Sequence, residues 1–374
     1  MHGLGTNMRR LMLAAALVVT AAARVGAQTT GDSAAIAQAR ELVRARLDSI
    51  PGISVAVARD GHIIWSEGFG WADLEQRVPV TPATEFRIGS ISKSLTSAAV
   101  GLLVQEGKLD LDAPVQRYVP SFPVKRWPIT TRQLAGHLAG IRHYRGDEFL
   151  LNRHYDSVVQ SLDIFEDDTL LFEPGTKFSY SSYGWNLVSA VVEAASGDAF
   201  LHFMRTRVFE PLRLARTMPE FPDSIIPHRT RYYDRAGGHW LNSPAVDNSY
   251  KWAGGGFLST PEDLVTYASA LLAPGFLRAE TLRLLFTSQR TTAGALTGYG
   301  VGWYVSRDPR LGPVYSHGGG SVGGTSFLAI YPDSRLVVAI TANMTNARFR
   351  RLPQELAAVF AGEGPPHAPL TPPR

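Results

Sequence analysis

Ser90-Ile91-Ser92-Lys93 puts a hydroxyl and an amine three residues apart at the start of a strong helical pattern. Leu95, Ala98, Ala99, Leu102 and Leu103 follow at helical spacing, and Gly107 stands where a C-terminal cap belongs. Residues three apart share a helix face, so the spacing predicts that Ser90 and Lys93 meet. Ser90 then lies at the helix N-terminus, where unpaired N–H groups and the positive dipole end favour developing negative charge. A serine hydroxyl is a weak nucleophile at neutral pH, and an amine with a depressed pKa can take its proton. The chemistry implied is attack on a carbonyl through an acyl-serine. Ser and Lys at this spacing are common by chance, usually as solvated surface, so the reading depends on finding the rest of a site downstream.

Two segments supply it. Phe178-Ser179-Tyr180-Ser181-Ser182-Tyr183-Gly184 lies between a turn at Glu173-Pro174-Gly175 and a helix from Asn186. A phenol in that loop, close to Lys93, would share a proton network as phenolate or as relay and protonate a leaving group. The bland alternative for Tyr180 is a packed aromatic. Tyr315-Ser316-His317-Gly318-Gly319-Gly320 ends one strand and precedes another. Its glycines let a substrate lie against the backbone edge, and a backbone N–H there would complete an oxyanion hole with that of Ser90. His317 would add a donor or a positive charge facing the cleft; the alternative is a surface histidine on a glycine-rich hairpin.

Ser90-Ile91-Ser92-Lys93, Tyr180-Ser181-Ser182 and His317-Gly318-Gly319 resemble, in order and approximate spacing, the three motifs of the class C beta-lactamase-like serine hydrolases. That family includes D-alanyl-D-alanine peptidases, class C beta-lactamases and carboxylesterases. The resemblance spans roughly residues 33 to 362. Leu109–Val115, Gly140–Tyr144 and Val246–Gly256 look like the members found in animal mitochondria. The resemblance implies Ser90 as nucleophile, Lys93 and Tyr180 as acid–base partners, His317 in the third motif, and Ser182, Gly319 and Gly320 against the substrate. No cofactor and no metal are expected. Two positions depart from the family pattern. Ser182 stands where an Asn amide usually holds the substrate's acylamide, and Gly318 stands where beta-lactamases carry a Thr hydroxyl. Both changes weaken beta-lactam turnover without opposing acylation.

Competing patterns are weaker. Gly319-Gly320-Ser321-Val322-Gly323 fits the G-x-S-x-G nucleophile elbow, but the only later histidine is His367, in a Pro-rich tail. His137 and His143 are six apart with no carboxylate–histidine motif, so a metal site is not expected. A non-catalytic binding protein of the same fold remains the reading of another class. A degenerate scaffold is expected to lose Ser, Lys or Tyr first, and all three are present.

The elements that position these residues follow a simple order. Residues 33–49 form an amphipathic pattern. Ile53–Arg59 and His62–Gly68 alternate around Asp60-Gly61, a hairpin turn. A long middle reads as mostly helical, with a Thr260-Pro261 helix start, and strand character returns over Tyr299–Ser306, Val314–His317, Thr325–Tyr331 and Leu336–Thr341. Two N-terminal strands cannot bury a face alone. The expected fold is therefore α/β (α+β), beta-lactamase/transpeptidase-like. Its antiparallel sheet is built from N- and C-terminal strands, flanked by terminal helices and carrying a large, mostly helical inserted subdomain. The expected boundaries are 28–88 and 296–362 for the α/β part, 89–295 for the insertion, and 363–374 for a Pro-rich disordered tail.

Arg9-Arg10, an apolar run from Leu11 to Ala23 and Val25-Gly26-Ala27 read as a signal peptide over 1–27, which implies a periplasmic or secreted protein. An Arg-rich mitochondrial transit peptide is the rival. No later stretch reads as a membrane span. That segment also accounts for much of the basic balance behind a pI of about 9.3. Setting aside its Arg9, Arg10 and Arg24 leaves 34 of the 37 basic residues, one more than the 33 acidic ones. Such a balance gives no argument for nucleic acid as a partner and leaves a small molecule or peptide substrate. The absence of cysteine excludes a thiol nucleophile, a disulfide framework and a Cys-ligated metal.

Overall fold

The computed structural model describes residues 30–363. Residues 1–27, read above as a signal peptide, and all but the first residue of the 363–374 tail lie outside the described residues. Seven strands form one antiparallel sheet. β1 (Gly52–Arg59), β2 (His62–Asp73) and the short β3 (Val78–Pro79) come from the N-terminal part. β4 (Tyr304–Asp308), β5 (Gly312–Ser321), β6 (Gly324–Tyr331) and β7 (Leu336–Ala342) come from the C-terminal part. The strand order is β3-β2-β1-β7-β6-β5-β4. The two ends of the chain join at β1–β7, in register from Ile53 opposite Ala342 to Arg59 opposite Leu336.

β1 is buried from Gly52 to Ala58, so the sheet has two faces to cover. Ile53, Val55 and Val57 pack with α1 (Thr30–Arg44) and α6 (Leu352–Phe360). Ala56 and Ala58 point the other way, into a larger core. That core holds α2 (Ile91–Gln105), α3 (Ser182–Ser196), α4 (Pro261–Leu272) and α5 (Ala279–Phe286). α4 was expected within the 89–295 insertion, yet it packs directly on β1 and β7. The reason is the apolar second face, which the terminal helices cannot reach. The insertion is also less helical than expected. Between residues 106 and 181 the only α-helix is the short Thr131–Ala135, and Pro114, Pro120, Pro123 and Pro128 interrupt the chain.

The strand expected from Tyr299 begins at Tyr304. Gly302 has a left-handed φ of +77°, and a Cβ there would lie 2.8 Å from the Lys93 carbonyl oxygen. The chain turns there against α2 instead of extending, with Ser94 Oγ donating to the Gly302 carbonyl at 2.8 Å. Tyr299 is thereby freed from the sheet and packs beside His317.

Ser90 is carried by a small sheet in which Phe86–Arg87 pairs with Phe257–Ser259, which also pairs with Met218–Pro219. A buried ion pair ties it down. Arg87 Nε donates to Glu220 at 2.7 Å, with the two side chains 6% and 1% exposed. Arg87 also donates to the Val322 carbonyl at 2.8 Å, and Glu220 accepts from Asn248 at 2.7 Å and Tyr232 at 2.9 Å. Breaking one partner of such a pair strands a buried charge. Glu220→Ala should lower the unfolding free energy by about 3–5 kcal/mol, read as a fall in urea midpoint at unchanged slope. A loss below about 1 kcal/mol would show that the pair behaves like a surface salt bridge.

Candidate active site

Ser90 is the N-cap of α2, and the next thirteen residues, Ile91 to Leu103, are all buried. Lys93 therefore points from a buried helix into the interior. Its Nζ lies 3.0 Å from Ser90 Oγ, 3.1 Å from Ser182 Oγ and 2.6 Å from the Gly254 carbonyl. Among the described residues no carboxylate lies within ion-pair distance of it. Burial, reinforced by the nearby Lys251 charge, holds its pKa well below the ordinary 10.5. A neutral amine fits these three neighbours completely. One N–H goes to the Gly254 carbonyl, a second to Ser182, and the lone pair is left for the Ser90 hydroxyl.

Tyr180 immediately precedes Ser181, the N-cap of α3, whose Oγ accepts from Gly184 N–H. Its ring centroid is 5.0 Å from Lys93 Nζ. Burial pushes the phenol above its ordinary pKa of 10, while hydrogen bonds to Ser90 and Ser182 pull the other way. Tyr180 is thus a protonated phenol at neutral pH, which favours the relay over the phenolate. Ser182 is 2% exposed. It was expected to face the substrate in place of an amide. The structure instead buries its hydroxyl between Lys93 and Tyr180, which it bridges.

β5 runs past the site with its last residues unpaired to β4, whose ladder stops at Ser316 opposite Tyr304. Gly319 does not present an open face. A Cβ there would sit 1.9 Å from the Ile88 carbonyl oxygen and 2.2 Å from Ser326 Oγ. That close approach seats β5 against the segment leading to Ser90, where Ser326 Oγ donates to the same Ile88 carbonyl at 2.6 Å. Gly320 has open space where a Cβ would be, and a Cβ on Gly89 would meet the Gly320 peptide at 2.5–2.8 Å. The backbones of Ser90 and Gly320 are therefore neighbours. His317 is 1% exposed. Its Nδ1–H donates to the Gly318 carbonyl at 2.7 Å, and Nε2 accepts from Tyr299 OH at 2.9 Å. Burial is the main cause of a pKa lowered to about 3, and any charge on Lys93 pushes the same way. The expectation of a positive charge or free donor facing the cleft is corrected: this imidazole is neutral and both nitrogens are engaged.

Ser321 lies at the end of β5, before the Val322-Gly323 turn into β6. A strand-to-strand hairpin is not the strand-to-helix elbow that G-x-S-x-G requires.

The beta-lactamase family model matches residues 39–361, nearly the whole described chain. The chain belongs to the beta-lactamase family. It is 33% identical to the human serine beta-lactamase-like protein LACTB, mitochondrial, over 87% of this chain and 80% of that protein. Among solved structures it is similar to an octameric penicillin-binding protein homologue from Pyrococcus abyssi, at 24% identity and a TM-score of 0.77 over 88% of this chain and 78% of that one. A D-stereospecific amidohydrolase from Streptomyces sp. is also similar, at 25% identity and a TM-score of 0.73 over 88% and 99% of the two chains. The match is to the beta-lactamase and penicillin-binding-protein superfamily of serine hydrolases.

Several residues of this beta-lactamase-family site were not assigned a role from sequence. Gly254 supplies the carbonyl beneath Lys93. Tyr144 hydrogen-bonds Ser182 and Tyr250. Lys251 is buried, and its Nζ sits 4.5 Å from the Phe149 ring centroid and 5.1 Å from that of Tyr250. Burial lowers its pKa to about 7. The strings Gly140–Tyr144 and Val246–Gly256 carried the only signal for them.

The neutral His317 has a consequence for stability. The unfolded imidazole takes a proton near pH 6.5, the folded one only near 3. The unfolded state binds more protons between these values, so stability falls as pH drops through that window and levels off below it. Glu85, raised by burial to about 7, has the opposite sign and loses stability as pH rises from 4.5. The two are separated by a variant. The stability difference between the parent protein and His317→Asn should shrink by about 1.4 kcal/mol per pH unit between pH 6 and 4, measured by urea unfolding. A constant difference would contradict the buried neutral imidazole.

Proposed function

We propose that the chain is a serine hydrolase that cleaves peptide, amide or ester bonds through an acyl-enzyme on Ser90. The observation that carries this reading is the amine of Lys93, buried without a counter-ion at 3.0 Å from Ser90 Oγ. In this mechanism Ser90 Oγ attacks the carbonyl carbon while its proton passes to Lys93 Nζ. Negative charge gathers on the carbonyl oxygen beside the Ser90 and Gly320 N–H groups. Tyr180 gives its phenolic proton to the leaving nitrogen or oxygen as the bond to carbon breaks. It recovers one from Lys93 by way of Ser182. Water then loses a proton to the same amine and attacks the acyl-serine; as the C–Oγ bond breaks the acid leaves, and Lys93 returns that proton to Ser90 Oγ. A non-catalytic scaffold would have no reason to bury an unpaired amine against a hydroxyl.

Export to the periplasm or exterior is the compartment this reading takes from Arg9-Arg10 and the apolar run behind them. The substrate reading is a peptidase or esterase that is poor on beta-lactams. It rests on Gly318, which lacks the Thr hydroxyl, and on Ser182, which is turned into the proton network. Similarity to a D-stereospecific amidohydrolase and to a penicillin-binding protein homologue supports D-Ala-D-Ala-type peptides as the first class to try.

Three outcomes test this. A fluorophosphonate label should add one mass adduct, lost in Ser90→Ala; an adduct that survives on another serine would overturn the assignment. Lys93→Ala and Tyr180→Phe should each slow acylation by about 10²–10⁴, and the double variant should be little worse than the poorer single; additive losses would exclude a shared proton path. Gly318 has no left-handed φ, and a Cβ there meets nothing closer than 3.9 Å. Gly318→Thr should therefore fold and raise nitrocefin turnover relative to a p-nitrophenyl ester by about tenfold or more. Efficient cephalosporin hydrolysis by the unmodified protein would replace the peptidase reading with a beta-lactamase.

A further inference from the structure

The loop that carries Tyr180 is not held by its own helix alone. His137, buried and in the left-handed region at φ +61°, grips the chain on both sides of the phenol. Its carbonyl accepts from Ser179 N–H at 2.9 Å, and its Nδ1 accepts from Ser181 N–H at 3.1 Å. Its ring lies against that of Tyr180, with centroids 4.2 Å apart. His143 takes the next residue, its Nδ1 accepting from Ser182 N–H at 3.1 Å. Its ring meets Tyr180 edge-on at 5.6 Å and lies 4.3 Å from that of Tyr144. Between the two, Ser181 Oγ donates to the Arg142 carbonyl at 2.7 Å. Arg142 is itself anchored by two bonds to Glu148, at 2.6 and 2.9 Å.

The backbone N–H groups of a helix start have no intrahelical acceptor and need one from outside. Here two of them are met by imidazole lone pairs. We propose that His137 and His143 are positioning residues that hold the Tyr180 phenol in line with Ser90 by accepting the flanking backbone N–H groups. This inference rests on the reading of Tyr180 as the proton relay. It also explains an otherwise costly feature. With Nδ1 used as acceptor, the neutral His137 ring carries its hydrogen on Nε2, and that atom is buried without a partner. The fold keeps the orphan because Nδ1 and the ring face are both in use. Protonation of either ring would replace an acceptor with a second donor. It would also put a cation among Lys93, His317 and the other histidine for His137, or near Lys93 and Lys251 for His143, where Glu148 is the one facing carboxylate.

The test separates positioning from mere folding. In the full chain, His143→Ala and His137→Ala should lower kcat for a p-nitrophenyl ester by roughly ten- to a hundredfold with KM nearly unchanged. His143→Asn and His137→Asn should recover most of that loss, since Asn offers an acceptor at the δ position and tolerates a left-handed backbone. In a Tyr180→Phe background the same Ala substitutions should cost little further, because the group they position is gone. Equal losses in both backgrounds, or no rescue by Asn, would overturn the positioning role. His143 is exposed, so His143→Ala and His143→Asn decide the matter if the His137 variants fail to fold. If Tyr180→Phe is itself fully active, the relay reading fails rather than the packing geometry, and the inference falls with it.

Discussion

An amine placed in the protein interior without a counter-ion is the constraint around which this molecule is arranged. Taking a charged ammonium out of water without a partner is expensive, and the group answers by giving up its proton. Lys93 is held there by a helix that is buried on every side. Its three polar neighbours are two hydroxyls and a carbonyl. Any one carboxylate in their place would restore the charge and remove the base. The surrounding packing keeps carboxylates out. Glu220 is committed to Arg87, and Glu148 to Arg142.

The same low-dielectric pocket sets the other protonation states. Tyr180 keeps its proton and His317 does not accept one. His317 therefore contributes through shape: it anchors Tyr299 against the third motif and fills the space beneath Tyr180 and Tyr304. A family resemblance that carries residue types from motif to motif does not carry their charge, which depends on burial.

Backbone contacts join these parts. Three segments far apart in sequence meet at Ser90: the Ile88-Gly89 approach, β5 at Gly319-Gly320, and the Trp252–Gly255 turn that supplies the Gly254 carbonyl. Glycine is required at Gly319 because the Ile88 carbonyl occupies the place of a side chain. The glycine run that reads as a substrate edge is thus half packing surface and half open edge. Its two functions alternate along the strand because successive residues of a strand face opposite sides.

Local pattern determined a good deal by itself. The S-x-x-K face of α2 follows from helix geometry, and the closure of N-terminal strands onto C-terminal ones follows from the inability of two strands to bury a face. The Asp60-Gly61 hairpin follows from turn chemistry. These are short-range consequences of periodicity and φ preference, and they appear in the structure as read. Tertiary structure alone decided the rest. It put α4 on the sheet, because both faces of β1 proved apolar. It turned Ser182 into the proton network and neutralised His317, because burial and distance are properties of the assembled core. It brought His137 and His143 to the backbone around Tyr180, a contact between residues some forty positions apart for which no sequence period exists.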